Sequence, residues 1–139
     1  MPVKAVIDSN IWISALITAG NPKMLVDTWL SQGLFIVVYP HALISELKNV
    51  PSKSRLARRI HLDDLEDLIR IIEEDGFLVE PKDIPELSRD PDDDVFLSCA
   101  RASQADYLVT GDNDLLILKQ HGNTKIVNPA EFLKILDTG

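Results

Sequence analysis

The sequence predicts an α/β fold in which a central parallel sheet lies between two layers of helices, and three observations support it. Short apolar runs rich in β-branched residues alternate along the chain with stretches of helical periodicity. The runs are continuously apolar, which is typical of parallel strands buried on both faces. The chain has 139 residues, of which 45% are hydrophobic. We therefore expect one three-layer α/β/α domain over residues 1–139, without an internal repeat or linker.

Proline and glycine mark the predicted elements in the first half of the chain. Pro22 suits the first turn of a second helix, Gly33 stops that helix, and Pro40 ends the second strand. Ser9 or Asn10 can cap the first helix. The elements predicted here are a strand at 3–7, a helix at 11–16, a helix at 22–30, a strand at 34–39 and a helix around 43–47.

The second half of the chain continues the alternation. Gly76 closes a long amphipathic helix, and the polar stretch at 80–91, which contains three prolines, is predicted to be a surface loop. Asn128 can cap a terminal helix with Pro129 in its first turn. The elements predicted here are a helix from 63, a strand at 77–79, a helix at 94–103, a strand at 107–110, a short helix at 115–119, a strand at 126–127 and the terminal helix.

The composition limits the class of protein. The chain has 14 basic and 22 acidic residues, a net charge of −8, which argues against wrapping nucleic acid by bulk attraction. A nuclease stays possible because clustered carboxylates can hold cations that reverse the local field. The single cysteine, Cys99, excludes an internal disulfide and fits a reducing, cytoplasmic setting. No segment approaches the roughly 20 apolar residues that a membrane span needs.

Four acidic residues are predicted to converge at one edge of the sheet. Asp8 closes the first strand, and Asp112 follows the strand at 107–110 after one glycine. Asp94 begins the helix that leads into that strand, and Glu46 lies on the helix after the second strand. In open α/β sheets the ligand site lies beyond the carboxyl ends of the strands. These four carboxylates would repel one another unless a cation neutralised them.

The residue types indicate which cation and which chemistry. Oxygen ligands with retained waters suit Mg²⁺ or Mn²⁺, and no Cys/His set suggests zinc. Two such ions roughly 4 Å apart can activate water and stabilise the leaving oxygen of a phosphodiester. Hydrolysis of a phosphodiester in RNA or DNA is therefore the predicted reaction class.

Each acid also has a simpler interpretation. Asp8 could merely end a strand and cap a helix, and Glu46 could lie on a solvated face. The acids at positions 90 and 92–94 could offset the dipole of a helix N-terminus. Asp112 and Asp114 could be Asx-type turn residues. The joint placement of the acids, and no single one of them, supports the metal site.

Four segments carry a family resemblance and span nearly the whole chain. They are VIDSNIWISAL at 6–16, SEL at 45–47, DPDDDVFL at 90–97 and ADYLVTGDNDLL at 105–116. In these segments, and in their order, the sequence resembles PIN-domain nucleases, specifically the branch of toxins from toxin–antitoxin pairs. The resemblance implies a five-stranded parallel sheet and a ribonuclease site that depends on Mg²⁺ or Mn²⁺.

The resemblance also implies roles for individual residues. It makes Asp8, Glu46, Asp94 and Asp112 the metal ligands. It gives Asn10 and Thr110 supporting polar roles near the metals, and Asp114 either supports the ligands from behind or is an alternative ligand. Asp93 competes with Asp94, which we prefer because Leu97, Ser98 and Ala100 then have the family spacing after the third acid. The implied partners are an RNA substrate, an antitoxin protein and further copies of the chain in a homodimer or higher homo-oligomer.

A basic stretch offers a possible RNA contact. Lys53, Arg55, Arg58 and Arg59 are four cations without an intervening acid, and on a helix the three arginines would share one face. They could contact the RNA backbone. A solvated face, or pairing with the acidic helix from residue 63, is the simpler interpretation.

Two other functions compete with the metal-dependent endoribonuclease. The first is a non-catalytic PIN-fold module that binds RNA or protein. The second is a phosphoacceptor receiver domain, which would need adjacent acids after the first strand and a lysine after the last strand. Ser9 follows Asp8, and Asn128 follows the last strand, so the receiver domain is disfavoured.

Overall fold

The structure is a computed structural model that describes residues 2–52, 58–82 and 91–138. Within these residues, six strands and seven α-helices are present. The strands are β1 (Val3–Ile7), β2 (Phe35–Tyr39), β3 (Phe77–Leu78), β4 (Tyr107–Val109), β5 (Gln120–His121) and β6 (Thr124–Val127). The helices are α1 (Ser9–Ile17), α2 (Asn21–Gln32), α3 (His41–Asn49), α4 (Leu62–Asp75), α5 (Pro91–Ser103), α6 (Asn113–Leu116) and α7 (Pro129–Thr138).

The sheet has the strand order β3-β2-β1-β4-β6-β5. All neighbouring pairs are parallel except β5 and β6, which are antiparallel. The predicted parallel α/β fold is therefore confirmed, with β5 as an additional edge strand. β5 was not predicted from the sequence because it is only two residues long and follows α6 closely. The turn at Gly122, which has φ of 59°, reverses the chain into β6.

Helices cover both faces of the sheet, as the three-layer prediction requires. Ile36 and Val38 of β2 line a cavity together with Ser103 at the end of α5. Phe35, which points to the opposite face because side chains alternate along a strand, packs edge-to-face on Phe132 of α7 with ring centroids 5.1 Å apart. The buried core therefore extends on both sides of the sheet.

Among residues 2–52, 58–82 and 91–138, none of the helices has the length and apolar character that a membrane span requires.

Most predicted helix boundaries agree with the structure. Gly33 adopts the left-handed conformation with φ of 58° at the end of α2. The N-terminus of α7 is a capping box, in which the Asn128 side chain accepts from the Glu131 N–H at 2.8 Å. The Glu131 carboxylate accepts from the Asn128 N–H at 3.3 Å in return. The cap predicted at Asn128 is therefore confirmed.

Two predicted placements are wrong, and the helix on which the arginines would share a face is not present at positions 58 and 59. α5 begins at Pro91 instead of Asp94, because proline is well accommodated at the first position of a helix. α6 spans Asn113–Leu116 instead of 115–119, because the Asp112 side chain caps it from the preceding residue. Arg58 and Arg59 lie in an exposed turn before α4 and not on a helix, while positions 53 and 55 fall outside the described residues.

Candidate active site

The carboxyl ends of β1 and β4 lie side by side and bring Asp8 next to Thr110. Ile7 stands opposite Val109, and the backbone N–H of Asp8 donates to the Val109 carbonyl at 2.9 Å. The chain runs from β1 outward through β2 and β3, then returns to β4 on the other side of β1. The crevice between β1 and β4 is thus the point where the strand order reverses, at which open α/β sheets bind ligands.

A chain of hydrogen bonds connects four of the predicted site residues. The Thr110 hydroxyl, fully buried, donates to Oδ2 of Asp8 at 2.7 Å. The same hydroxyl oxygen accepts from the backbone N–H of Asp112 at 3.0 Å. Oδ1 of Asp112 then accepts from the backbone N–H of Asp114 at 2.9 Å, which caps α6. Thr110 therefore fixes the position of Asp112 relative to Asp8, and Asp112 also has the turn-capping role that the sequence allowed.

Asp8 is a buried carboxylate, with 3% of its surface exposed. Burial raises the pKa of Asp8 above its ordinary value of 3.8. The hydroxyl of Thr110, the nearby backbone N–H of Asn10 and the hydroxyl of Ser9, at 3.3 Å from Oδ1, counteract the rise in pKa, while the charge of Asp112 adds to it. The net result is an acid whose negative charge is disfavoured in the protein alone.

Glu46 lies on α3 and Asp94 on α5. Asp94 is 3% exposed in the first turn of α5, and that helix packs against β1, β2 and β4. Glu46 is half-buried on α3, which packs against α1. Among residues 2–52, 58–82 and 91–138, no group of three or more His, Cys, Asp or Glu side chains is arranged to hold a metal ion. Glu46 and Asp94 therefore do not complete a three-ligand group with Asp8 and Asp112.

The family model of the PIN domain matches residues 4–114, a segment that contains all four predicted carboxylates. The chain belongs to the PIN domain family. PIN domains are generally nucleases, so the family agrees with the reaction class that the acids predict.

Individual proteins also resemble this PIN domain. MJ1680 of Methanocaldococcus jannaschii, an uncharacterized protein, is 28% identical, and the match covers 95% of this chain and 90% of the relative. The crystal structure of PAE2754 from Pyrobaculum aerophilum superposes with a TM-score of 0.66 at 19% identity, covering 99% of this chain and 91% of the other. The PIN domain of human SMG5 superposes with a TM-score of 0.53 at 17% identity, covering 95% and 98%. These two structures support the fold.

The remaining predicted residues of this PIN domain lie around the crevice at different depths. Asn10 is exposed in the first turn of α1, and its backbone N–H lies near the Asp8 carboxylate. Asp114 is exposed in the first turn of α6. Asp93 immediately precedes Asp94 on α5, and its side chain is outside the described part of the chain.

Ser9 is a site residue that the sequence analysis treated only as a helix cap. It is 6% exposed, and its hydroxyl donates to Oδ1 of Asp8. Together with Thr110 it places a neutral donor on each oxygen of the Asp8 carboxylate. Its position directly after Asp8, at the start of a helix, was the available signal.

Proposed function

We propose that this PIN domain is a metal-dependent endoribonuclease that hydrolyses RNA phosphodiester bonds and is the toxin of a toxin–antitoxin pair. The observation that carries the proposal is the buried Asp8 carboxylate, joined through Thr110 to Asp112 at the switch point of the sheet. An acid in this place, with its charge disfavoured by burial and by a neighbouring acid, is typical of a functional site.

The donor atoms at the crevice suit Mg²⁺ or Mn²⁺. They are carboxylate and hydroxyl oxygens, which are hard ligands. Mg²⁺ is commonly held by one or two protein carboxylates, with waters and substrate phosphates completing its coordination. Asp8 and Asp112 are therefore a sufficient pair, and we propose that Glu46 and Asp94 act on the ion through water. A divalent cation would also offset the mutual repulsion of Asp8 and Asp112.

The protein's own contribution is to hold the two carboxylates in place. A bound divalent ion supplies Lewis-acid activation of water and neutralises charge on the phosphate. Thr110 orients Oδ2 of Asp8 and, through its oxygen, the backbone of Asp112. Oδ1 of Asp112 is engaged by the Asp114 N–H, so Oδ2 is the oxygen outside this bond.

The proposed partners rest on the resemblance of the sequence motifs to toxins of this family and on the exposed cations. Arg58 and Arg59 are exposed, and we propose that they contact the RNA backbone with Lys53 and Arg55 of the same stretch. If these cations neutralise RNA phosphates, the affinity for RNA should fall steeply as the salt concentration rises. An antitoxin protein would block the site, and a homodimer or higher homo-oligomer is the proposed assembly. The buried, single Cys99 is compatible with the proposed cytoplasmic setting.

Cleavage of a mixed RNA pool tests the proposal. The wild type, Asp8→Asn and Asp112→Asn are compared with and without Mn²⁺, and Asp67→Asn is the matched control. Asp67 is exposed on α4 and pairs only at the surface, with Arg70 at 3.1 Å. We expect cleavage that needs the ion, is lost in the two site variants and persists in the control. Growth arrest on expression of the wild type but not of Asp8→Asn tests the toxin role.

A non-catalytic RNA- or protein-binding module is the alternative, and one observation favours it. No described group of three or more potential ligands is arranged to hold a metal ion. If the folded wild type binds RNA equally well with and without Mn²⁺ and never cleaves it, the binding module is correct. If RNA is cleaved without any added or bound ion, the proposed roles of the carboxylates are wrong.

A further inference from the structure

The hydrogen-bond ladder between β1 and β2 lacks a backbone donor at its carboxyl end. The backbone N–H of Asp8 points toward β4. Because successive residues of a strand direct their backbone polar groups to opposite sides, the backbone N–H and C=O of Ile7 point toward β2. The register of the two strands, continued by one pair, places Ile7 opposite Tyr39. In a parallel ladder the Ile7 carbonyl would then accept from the N–H of the residue after Tyr39. That residue is Pro40, which has no N–H.

Trp12 supplies a donor to this carbonyl. Its indole Nε1–H donates to the Ile7 carbonyl oxygen at 3.1 Å. Trp12 lies on α1 and is fully buried, where an indole N–H without a partner would be costly. Its ring packs edge-to-face on Trp29, with centroids 5.5 Å apart and an interplanar angle of 71°. The donor is thus held rigidly by the packing of α1 against α2.

The bond acts on the peptide group that leads into Asp8. The Ile7 carbonyl and the Asp8 N–H belong to one planar peptide unit. The carbonyl accepts from Trp12, and the N–H donates to the Val109 carbonyl at 2.9 Å. Both polar atoms of this peptide are therefore fixed, one by a helix and one by the neighbouring strand. The direction in which the Asp8 side chain leaves the backbone is set by this peptide plane.

We propose that Trp12 is a positioning residue for the site, because its indole N–H replaces the donor that Pro40 cannot provide and fixes the peptide that carries Asp8. The consequence for metal binding rests on the proposed function of Asp8. The backbone consequence does not rest on it, so the two can be tested separately.

Hydrogen exchange tests the backbone consequence without any metal. The variant Trp12→Phe removes the N–H and keeps an aromatic ring, and Trp29→Phe removes the same volume from the same ring pair. We expect the Asp8 amide to exchange about 10-fold faster or more in Trp12→Phe and to stay nearly unchanged in Trp29→Phe. Adding Pro40→Ala to Trp12→Phe restores a backbone N–H opposite Ile7, and we expect it to return the exchange rate most of the way to wild type.

The proposal is overturned if both tryptophan variants accelerate exchange at Asp8 equally, or if Pro40→Ala restores nothing. Should Trp12→Phe fail to fold, the wild type alone still decides. In the wild type, we then expect the indole N–H of Trp12 to exchange with solvent no faster than the protected backbone amides near it. Rapid exchange of the indole N–H refutes the bond.

Mn²⁺ titration then tests the consequence for the site. We expect Trp12→Phe to weaken Mn²⁺ binding about 10-fold, as expected for the loss of a group that orients a ligand, with recovery in the Pro40→Ala double variant. If the wild type binds no Mn²⁺, the proposed function fails, while the exchange data still decide the role of Trp12. If Mn²⁺ binds to the wild type and to Trp12→Phe equally well, Trp12 does not position the site.

Discussion

Replacing Thr110 by valine tests the connection between the two carboxylates of the site. Valine keeps the shape of the fully buried threonine side chain and removes only its hydroxyl. The change breaks the 2.7 Å bond to the Asp8 carboxylate and leaves the Asp112 N–H without its 3.0 Å acceptor. A hydroxyl bond to a charged group contributes about 1.5 to 3 kcal/mol, and the backbone bond about 1 kcal/mol.

The extra buried methyl of valine offsets about 0.8 kcal/mol of this loss. We therefore expect Thr110→Val to lower the free energy of unfolding by about 2 to 3 kcal/mol at pH 7, measured by urea denaturation without divalent ions. The Thr110 hydroxyl counteracts the raised pKa of Asp8, so it stabilises the ionised form. Its contribution is present when Asp8 is ionised and decreases as the pH falls and Asp8 takes up a proton.

Thr124→Val is the matched control for this experiment. Thr124 is 2% exposed, and its hydroxyl donates to the neutral carbonyl of Ala105 at 2.6 Å. Its loss is expected to be costly but independent of pH. A cost of Thr110→Val below about 1 kcal/mol would contradict this role of the hydroxyl, and so would a cost as independent of pH as that of Thr124→Val. The cost must also fall in an Asp8→Asn background, because the charged partner is then absent.

Three further predictions concern stability and reactivity. Without metal, Asp8→Asn is expected to be more stable than wild type at pH 7, because burial and the charge of Asp112 disfavour the ionised carboxylate. The pKa of Asp8 is raised in the folded state, so wild type loses stability as pH rises from about 4 through the folded pKa. In urea denaturation, the difference in the free energy of unfolding between Asp8→Asn and wild type must therefore vanish below about pH 4. Gly76→Ala is expected to lower the free energy of unfolding by about 1 to 3 kcal/mol, because the added Cβ would lie 2.7 Å from the Ile72 carbonyl oxygen. In the control Gly111→Ala, the added Cβ meets no atom closer than 3.9 Å, so its unfolding in denaturant must stay near that of wild type. Cys99 is buried and its pKa is raised to about 12, so a thiol reagent at pH 8 is expected to label it only after unfolding, and labelling of the native protein at the rate of a free thiol contradicts this.

The fold was predictable because its signals are local. Apolar runs, proline positions and the helix cap at Asn128 each depend on a few neighbouring residues, and these predictions are confirmed. β5 was missed because a two-residue edge strand has no periodicity to detect. The start of α5 was misplaced because the acids after Pro91 are equally typical of a loop and of a helix N-terminus.

The site was predictable only in part, for a physical reason. That Asp8 and Asp112 follow the carboxyl ends of strands in one sheet could be inferred from the alternation of strands and helices, and the structure adds that these strands are neighbours. The bond from Thr110 to Asp8 joins residues 102 positions apart, and no sequence pattern encodes the rotamers that such a contact requires. For the same reason the sequence could not tell that Glu46 and Asp94 would stay outside a three-ligand group. Their proposed action on the ion through water remains a prediction.

The way the fold holds Asp8 bears on why the residue is there. Its two carboxylate oxygens accept from the hydroxyls of Ser9 and Thr110, which carry no charge. The neighbouring charge that acts on its pKa is the like charge of Asp112, which raises it further. A carboxylate needed only for stability would be better served by a cationic partner or by replacement with an amide. Among residues 2–52, 58–82 and 91–138, the groups that act on this anion are neutral donors and a like charge, which supports the proposed site for a divalent cation.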